Sequence, residues 1–371
     1  MALPLDDATD AGSDVDMMSS GRVSPAPSLY SFHSSIDGRT ILRDLHGRIL
    51  NNSNDVSDYS LIDGITRIHV STKLYMLPAD GEEHDRLDLQ HGIYTLSLGG
   101  LYPAAVREEV KALLAPRKLG RPAILDVGTG SGSWAMAMAR EFPHAEVVGM
   151  DLAPVRLVSS IPSNCRFEID DANLGFAHYQ GSFDVVHARA VGGGIRDFLT
   201  LLAELANTVR PGGMLLFADG EMQLYDENMQ PLPVAEPGDE LFSWTQRVFH
   251  ATYHAMKSRG SQVDTPSLLP TWLSRIPDLH KIGSQKIFIP LGPWKKGDPR
   301  EEALSEMLRT NGLMHMAGMK PLLLEDGYLA DTVDLWISEA QRELAGLTAR
   351  LYTRWSFAWA ERKIEESAAA V

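Results

Sequence analysis

The chain has 371 residues, 44% of them hydrophobic, and a formal net charge of −15 from 34 basic and 49 acidic side chains. That balance suits a globular fold with a sizeable core and argues against broad nucleic-acid binding, which needs a basic surface to displace counterions. Cys165 is the sole cysteine, so an intrachain disulfide and a cysteine-based metal site are excluded, and a reducing compartment is expected.

Residues 1–40 read as a disordered acidic, Ser-rich tail. Asp6, Asp7, Asp10, Asp14 and Asp16 all precede the first basic side chain, Arg22. No secretory leader is legible, and no apolar run approaches the roughly 18 residues of a membrane span. A soluble, intracellular, cytoplasmic protein without a membrane partner is therefore expected. Residues 41–115 read as an N-terminal extension ending in helices over 80–99 and 103–114. Asp80 is placed to cap the first of these, Glu82 and Glu83 lie in its first turn, and Leu87, His91 and Tyr94 recur at helical spacing.

From residue 116 to 371 a regular alternation begins. Strands are expected at 122–127, 145–150, 165–169, 183–187 and 214–218. Helices are expected at 131–141, briefly after Pro154, and at 195–209, followed by a turn at Pro211-Gly212-Gly213. Short apolar runs separated by helices predict a buried parallel sheet covered on both faces. Beyond Asp219 the pattern loosens into helical insertions at about 220–280 and 295–345. A strand over 279–289 and a period-2 aromatic face at Trp355, Phe357 and Trp359 predict two late strands at the far edge of the sheet.

The chemistry concentrates in residues 124–132, Ile-Leu-Asp-Val-Gly-Thr-Gly-Ser-Gly. A strand ending in Asp126 and a turn of Gly128, Gly130 and Gly132 lets main chain approach a nucleoside with no Cβ in the way. Asp151 closes the next strand, where a carboxylate accepts from ribose hydroxyls. Dinucleotide sites read G-x-G-x-x-G, but Ser133 stands where the third glycine would fall, and Asp126 would repel a pyrophosphate. Carboxylates suit a cation, and S-adenosylmethionine (SAM) carries an ammonium and a sulfonium. The amides opening helix 131–141 suit that cofactor's carboxylate.

The third strand ends in Asp170, Asp171, Ala172 and Asn173, facing the same crevice beyond the strand ends and placed to read an adenine amino group. His187 and Arg189 close the fourth strand, where either can touch cofactor or substrate. His187 lies within an apolar strand and reads either as a satisfied core histidine or as a general base. His250 and His254 share a helix face, but the H-E-x-x-H glutamate of a zinc site is missing and no metal is expected.

The glycine turn, Asp151, the acidic third strand, Phe183-Asp184 and Arg210-Pro-Gly-Gly213 together resemble class I SAM-dependent methyltransferases. Upstream, Tyr75-Met-Leu-Pro-Ala-Asp80, Glu83 and Arg86-Leu-Asp-Leu-Gln-His91 resemble the signature of the fungal LaeA-like (UMTA) methyltransferases, as do His187-Ala-Arg189, Ile195-Arg-Asp197 and Leu291-Gly-Pro-Trp294. The resemblance covers about residues 60–361. It implies a Rossmann-like α/β fold with a seven-stranded sheet in the order 3-2-1-4-5-7-6, strand 7 antiparallel, and a helix over 75–94 packed on the SAM pocket as a lid. It implies a cofactor-binding set of Asp126, Gly128, Thr129, Gly130, Gly132, Asp151, Leu152, Asp171, Ala172 and Arg189. Asp126 would meet the methionine ammonium directly or through water, Asp151 the ribose, and Asp171 with Ala172 the adenine. His187 is the first candidate base, with His91 and His250 next. The expected activity is methyl transfer to a small-molecule acceptor, at oxygen, in fungal secondary metabolism. The alternative is a LaeA-like nuclear regulator acting through a protein partner docked on the N-terminal extension.

Overall fold

Five residues, Ala123–Val127 (β1), are buried on both faces, so this strand has to lie inside a sheet with cover above and below. The computed structural model describes residues 81–364 apart from Pro154 and residues 156–160, together with the backbone of four short strands upstream. Those four pair as antiparallel hairpins, Tyr30–Ser34 with Thr40–Asp44 and Tyr59–Ile62 with Ile65–Ile68. The remainder of the expected tail, the Tyr75–Asp80 signature with its capping Asp80, and the short helix after Pro154 lie outside the described residues.

Beside β1 run Glu146–Asp151 (β2), Cys165–Ile169 (β3), Phe183–Arg189 (β4) and Val209–Tyr225 (β5), followed in the chain by Leu279–Pro290 (β6) and Tyr352–Arg362 (β7). These seven form one sheet in the order β3-β2-β1-β4-β5-β7-β6. The first five strands are mutually parallel, and β7 is antiparallel to both β5 and β6. The expected order and the expected antiparallel strand are both present. Because β1 lies where the order reverses between β2 and β4, its carboxyl end opens into the crevice in which such sheets bind ligands.

The helices are Gly81–Leu98 (α1), Arg107–Leu113 (α2), Ser133–Glu141 (α3), Phe198–Thr208 (α4), Trp244–Ser258 (α5), Thr265–Leu273 (α6), Pro299–Gly318 (α7), Lys320–Glu325 (α8) and Ala330–Gly346 (α9). One face of the sheet is covered by α2 and α3 through Val110, Trp134 and Met138 on Ile124 and Val147. The other is covered by α4 and α6 through Leu202, Leu205 and Leu273 on Leu125 and Val186. A third core, with Ile93, Val248, Leu308, Val333 and Trp355, ties α1 and the insertion helices to β5 and β7.

One expected boundary is displaced. The expected strand 214–218 runs on to Tyr225, and Pro211-Gly212-Gly213 is a bulged start of β5 in place of a free turn. The apolar run does stop at Ala218. Beyond it, Asp219 and Gly220 stay in the sheet because β7 pairs with them at Ser356 and Trp355. A Cβ on Gly213 would lie 2.7 Å from the Asp184 carbonyl, which is why glycine stands at the bulge.

Asp184 anchors the opposite, amino end of the sheet. Its buried carboxylate accepts from the Ala123 amide (2.8 Å) and from both Arg117 Nη atoms (2.9 and 2.7 Å), and it pairs with Arg210. Replacement by alanine strands one buried amide and two partly exposed cations. Asp184→Ala is expected to cost about 2–4 kcal/mol, read as a lower urea midpoint at unchanged m-value.

Candidate active site

The turn after β1 is built from residues in the left-handed region, with Gly128, Gly130 and Gly132 at φ of 66°, 57° and 77°. A Cβ on Gly128 would stand 2.4 Å from Val191 Cγ1, and one on Gly132 2.6 Å from Phe167 Cζ. Both the conformation and the close approach therefore demand glycine. The turn is pinned to β2, with the Thr129 amide donating to the Met150 carbonyl (2.9 Å) and the Gly130 amide to Asp151 Oδ2 (2.7 Å). Asp151 Oδ1 accepts from the Ala153 amide at 3.1 Å. Burial pushes the Asp151 carboxyl above its ordinary range, and those two amides oppose the shift.

Beneath the turn lies a closed polar unit. Asp126 Oδ1 accepts from His187 Nδ1 (2.7 Å), and Oδ2 accepts from the Thr129 hydroxyl (2.7 Å). Asp126 and His187 are 2% and 5% exposed. The imidazole stacks on Trp134, with ring centroids 3.8 Å apart at 13°. Burial lowers the His187 pKa despite the neighbouring carboxylate, so the ring is neutral and its Nδ1 carries the donated proton.

Above this unit a cavity of about 240 Å³ opens. Of the residues singled out in the sequence, Gly128, Thr129, Gly130, Asp151, Leu152, Asp171, Ala172 and Arg189 line it. Asp126 and His187 sit one layer behind, and Gly132 caps the start of α3. Asp170, 6% exposed, also lines the cavity, and Asp171 is fixed by accepting from the Asn173 amide at 2.9 Å. Helix α1 forms the roof. Leu87 Cδ1 lies 3.0 Å from where a Gly130 Cβ would be, and Ser133 Oγ donates to Asp88 Oδ1 at 2.5 Å. On the same helix Arg86 binds Glu83 through two 2.7 Å contacts.

The other end of the cavity was not legible in the sequence. Met222, Phe249, Met256, Leu291, Leu308 and Trp355 make it apolar, while Asp219, Glu221, Asn311 and His315 add polar groups. Asp219 carried a usable signal, since it closes the apolar run of a parallel strand exactly as Asp151 does. Asn311 and His315 sit on an insertion helix, and nothing local marks them. Burial raises the Asp219 pKa to about 7, and Glu221 adds to the shift. Burial, with Arg86 nearby, lowers His315 to about 3. Glycines 192 and 193 allow the wall to close, for a Cβ there would lie 2.9 Å from the Gln262 carbonyl or from Met256 Cε.

Arg189 spans the two ends, its guanidinium 4.7 Å from the Tyr94 ring centroid and 3.4 Å from His91 Nδ1. Burial, with the Arg189 charge, lowers His91 to about 4. His250 lies away from the cavity and shares a 2.9 Å Nε2–Nε2 contact with His254. Among the described residues no helix is long and apolar enough to cross a membrane.

Comparison with known proteins places these features in a family. The profile described as "Methyltransferase domain" matches residues 101–263. The chain is 32% identical over 290 residues to the secondary metabolism regulator laeA of Coprinopsis cinerea, covering 78% of this chain and 70% of that protein. It is 31% identical over 238 residues to the methyltransferase pytC of Aspergillus terreus, covering 64% and 67%. Among solved structures, a phosphoethanolamine N-methyltransferase 2 of Haemonchus contortus, in complex with phosphomonomethylethanolamine and S-adenosylhomocysteine, aligns with a TM-score of 0.40 at 17% identity. That alignment covers 78% of this chain and 62% of that one, less than two thirds of its length.

His91 and His315, both half-buried, set a pH dependence. Their folded pKa values, about 4 and about 3, lie below the ordinary histidine value of 6.5, so the stability they contribute is present above that value and is lost as pH falls through the folded values. The thermal midpoint is expected to fall between about pH 6.5 and about pH 4, and His315→Gln to flatten part of that fall in a calorimetric series.

Proposed function

The chain belongs to the LaeA-like family of class I SAM-dependent methyltransferases, and from that premise we propose that it transfers the methyl group of SAM to an oxygen of a small molecule in secondary metabolism. The observation that carries the reading is one continuous cavity, with a glycine turn and carboxylates at one end and apolar side chains from the insertion helices at the other.

The residues present fit the cofactor. At Gly128 a side chain would collide with Val191, so bare backbone is left beside the methionine part. Asp151, with Leu152, stands at the end of β2 to accept from ribose hydroxyls, and Asp171, with Ala172, at the end of β3 to meet the adenine. These carboxylates also make the site favourable for a cationic ligand. Asp126 works through the Thr129 hydroxyl that it binds, and His187 works through Asp126. His187 is thereby a positioning residue, and no proton transfer is assigned to it. When bound, the sulfonium supplies an activated methyl group; the protein supplies orientation and exclusion of water.

Helix α1 is the element that orders this arrangement. It closes over the turn through Leu87 and the Asp88–Ser133 hydrogen bond, and its Arg86 is held by Glu83 at the cavity wall. The acceptor then lies between Arg189 and the apolar end, enclosed by α5 and α7. Proteins named as regulators and as methyltransferases both stand among the relatives. A lined acceptor compartment supports catalysis as the activity of this chain.

Asp151→Ala is expected to weaken SAM binding by tenfold or more, since about 1–3 kcal/mol is lost when a buried hydrogen-bonded group loses its partner. Isothermal titration calorimetry reads this directly, and wild-type affinity in the variant would contradict the ribose assignment. In the producing strain, deletion of the gene is expected to accumulate a compound lighter by one methylene.

A further inference from the structure

Several carboxylates face the cavity, and most of them are occupied. Glu83 is held by Arg86. Glu221 accepts from Arg354 Nε (2.8 Å), the Tyr225 hydroxyl (2.6 Å) and Ser356 Oγ (3.2 Å), with Arg354 Nη2 at 2.7 Å. Asp151 accepts from two backbone amides, Asp171 from Asn173, and Asp170 from the Asp171 amide with His178 Nε2 3.3 Å from its other oxygen. Asp219 differs. Among the described residues its carboxylate accepts one hydrogen bond, from the Gly220 amide at 2.8 Å, and forms no ion pair.

Its position matters as much as its freedom. Arg189 at the end of β4 is in register with Ala218, and the Ala190 amide donates to the Ala218 carbonyl at 2.9 Å. Ala190 then takes φ of 54°, a left-handed conformation rare outside glycine, which bends the chain back along the cavity. Asp219 follows Ala218 directly and so lies beside the turn that joins the cofactor end to the apolar end. The titratable groups that act on it are Tyr94 of α1 and its own neighbour Glu221, while Arg86 of α1, Arg189 of β4 and His315 of α7 line the same cavity. Both arginines are engaged, Arg86 by Glu83 and Arg189 by the Tyr94 face and His91.

Building on the reading of the chain as an O-methyltransferase, we propose that Asp219 is the proton acceptor and that the acceptor is an uncharged, hydroxyl-bearing molecule with an apolar body. The hydroxyl oxygen forms the new C–O bond as the S–C bond breaks with its electron pair remaining on sulfur. The O–H proton passes to the Asp219 carboxylate and from there to solvent. A carboxylate acceptor would meet Asp219 and Glu221 as like charges, with no unengaged cation among the lining residues to offset them. Burial holds the Asp219 pKa at about 7, which lets the group take a proton in one step and release it in the next.

Two measurements test the assignment. The first needs no turnover. In an infrared titration of the protein saturated with S-adenosylhomocysteine, wild type is expected to show a carboxyl band that titrates at about pH 7 and is missing from Asp219→Asn. A band unchanged by the substitution overturns the proposal. The second uses para-cresol and para-nitrophenol as probe acceptors, within a panel of phenols and apolar alcohols. Asp219→Asn is expected to cut transfer to para-cresol by about 100-fold or more and to leave para-nitrophenol, which ionises unaided near neutral pH, within about threefold. Asp219→Glu is expected to recover part of the para-cresol rate. Equal losses on both phenols in a variant that still binds SAM at wild-type affinity overturn the role of Asp219 alone. A wild type that binds SAM and methylates no member of the panel overturns the O-methyltransferase reading beneath it.

Discussion

The buried contact between Asp126 and His187 is the constraint on which the site depends. β1 and β4 are in register at these two residues. Their 2.7 Å hydrogen bond crosses the sheet at the level where the strands end. The free side of the carboxylate takes the Thr129 hydroxyl, so the same group that joins two strands fixes the glycine turn. Trp134, stacked on the imidazole, ties α3 to the unit. Both carboxylate oxygens of Asp126 have defined partners, and removing one member would leave others buried and unsatisfied, which is the costly direction for such networks. The backbone presented to a ligand is therefore held by Asp126, His187 and Trp134, none of which lines the cavity.

Much of this was legible in the sequence, for identifiable reasons. The buried parallel sheet follows from short apolar runs separated by helices, its strand order from the family resemblance, and Gly128, Gly130, Asp151 and Asp171 from glycine and acidic punctuation at strand ends. These signals are local, and both the cavity lining and the sheet obey them. The role of Asp126 and His187 was less accessible. Sequence gives a carboxylate near a glycine turn and a histidine in an apolar strand, yet only the register between β1 and β4 brings them together. Asp126 was expected beside the ligand, directly or through water, and the structure shows it bound to Thr129 and His187 beneath the turn.

The apolar end of the cavity was illegible because it is assembled from distant segments. Phe249 comes from α5, Leu308 and His315 from α7, Leu291 from just past β6 and Trp355 from β7. No spacing rule connects residues separated by whole insertions. Even so, the antiparallel β7 had a consequence that could be traced. Its pairing extends β5 past the end of the apolar run and keeps Asp219 in the sheet, at the junction of the two ends. The seven-stranded topology thus both covers the edge of β5 and places a carboxylate beside the apolar end of the cavity.

A crystal structure with S-adenosylhomocysteine bound tests the central claim most directly. The account predicts ribose oxygens within hydrogen-bond distance of Asp151, adenine beside Asp171 and Ala172, and the thioether sulfur near Arg189, facing Asp219 and the apolar end. A ligand whose ribose lies away from Asp151, or whose sulfur faces away from the compartment formed by α5 and α7, would contradict it.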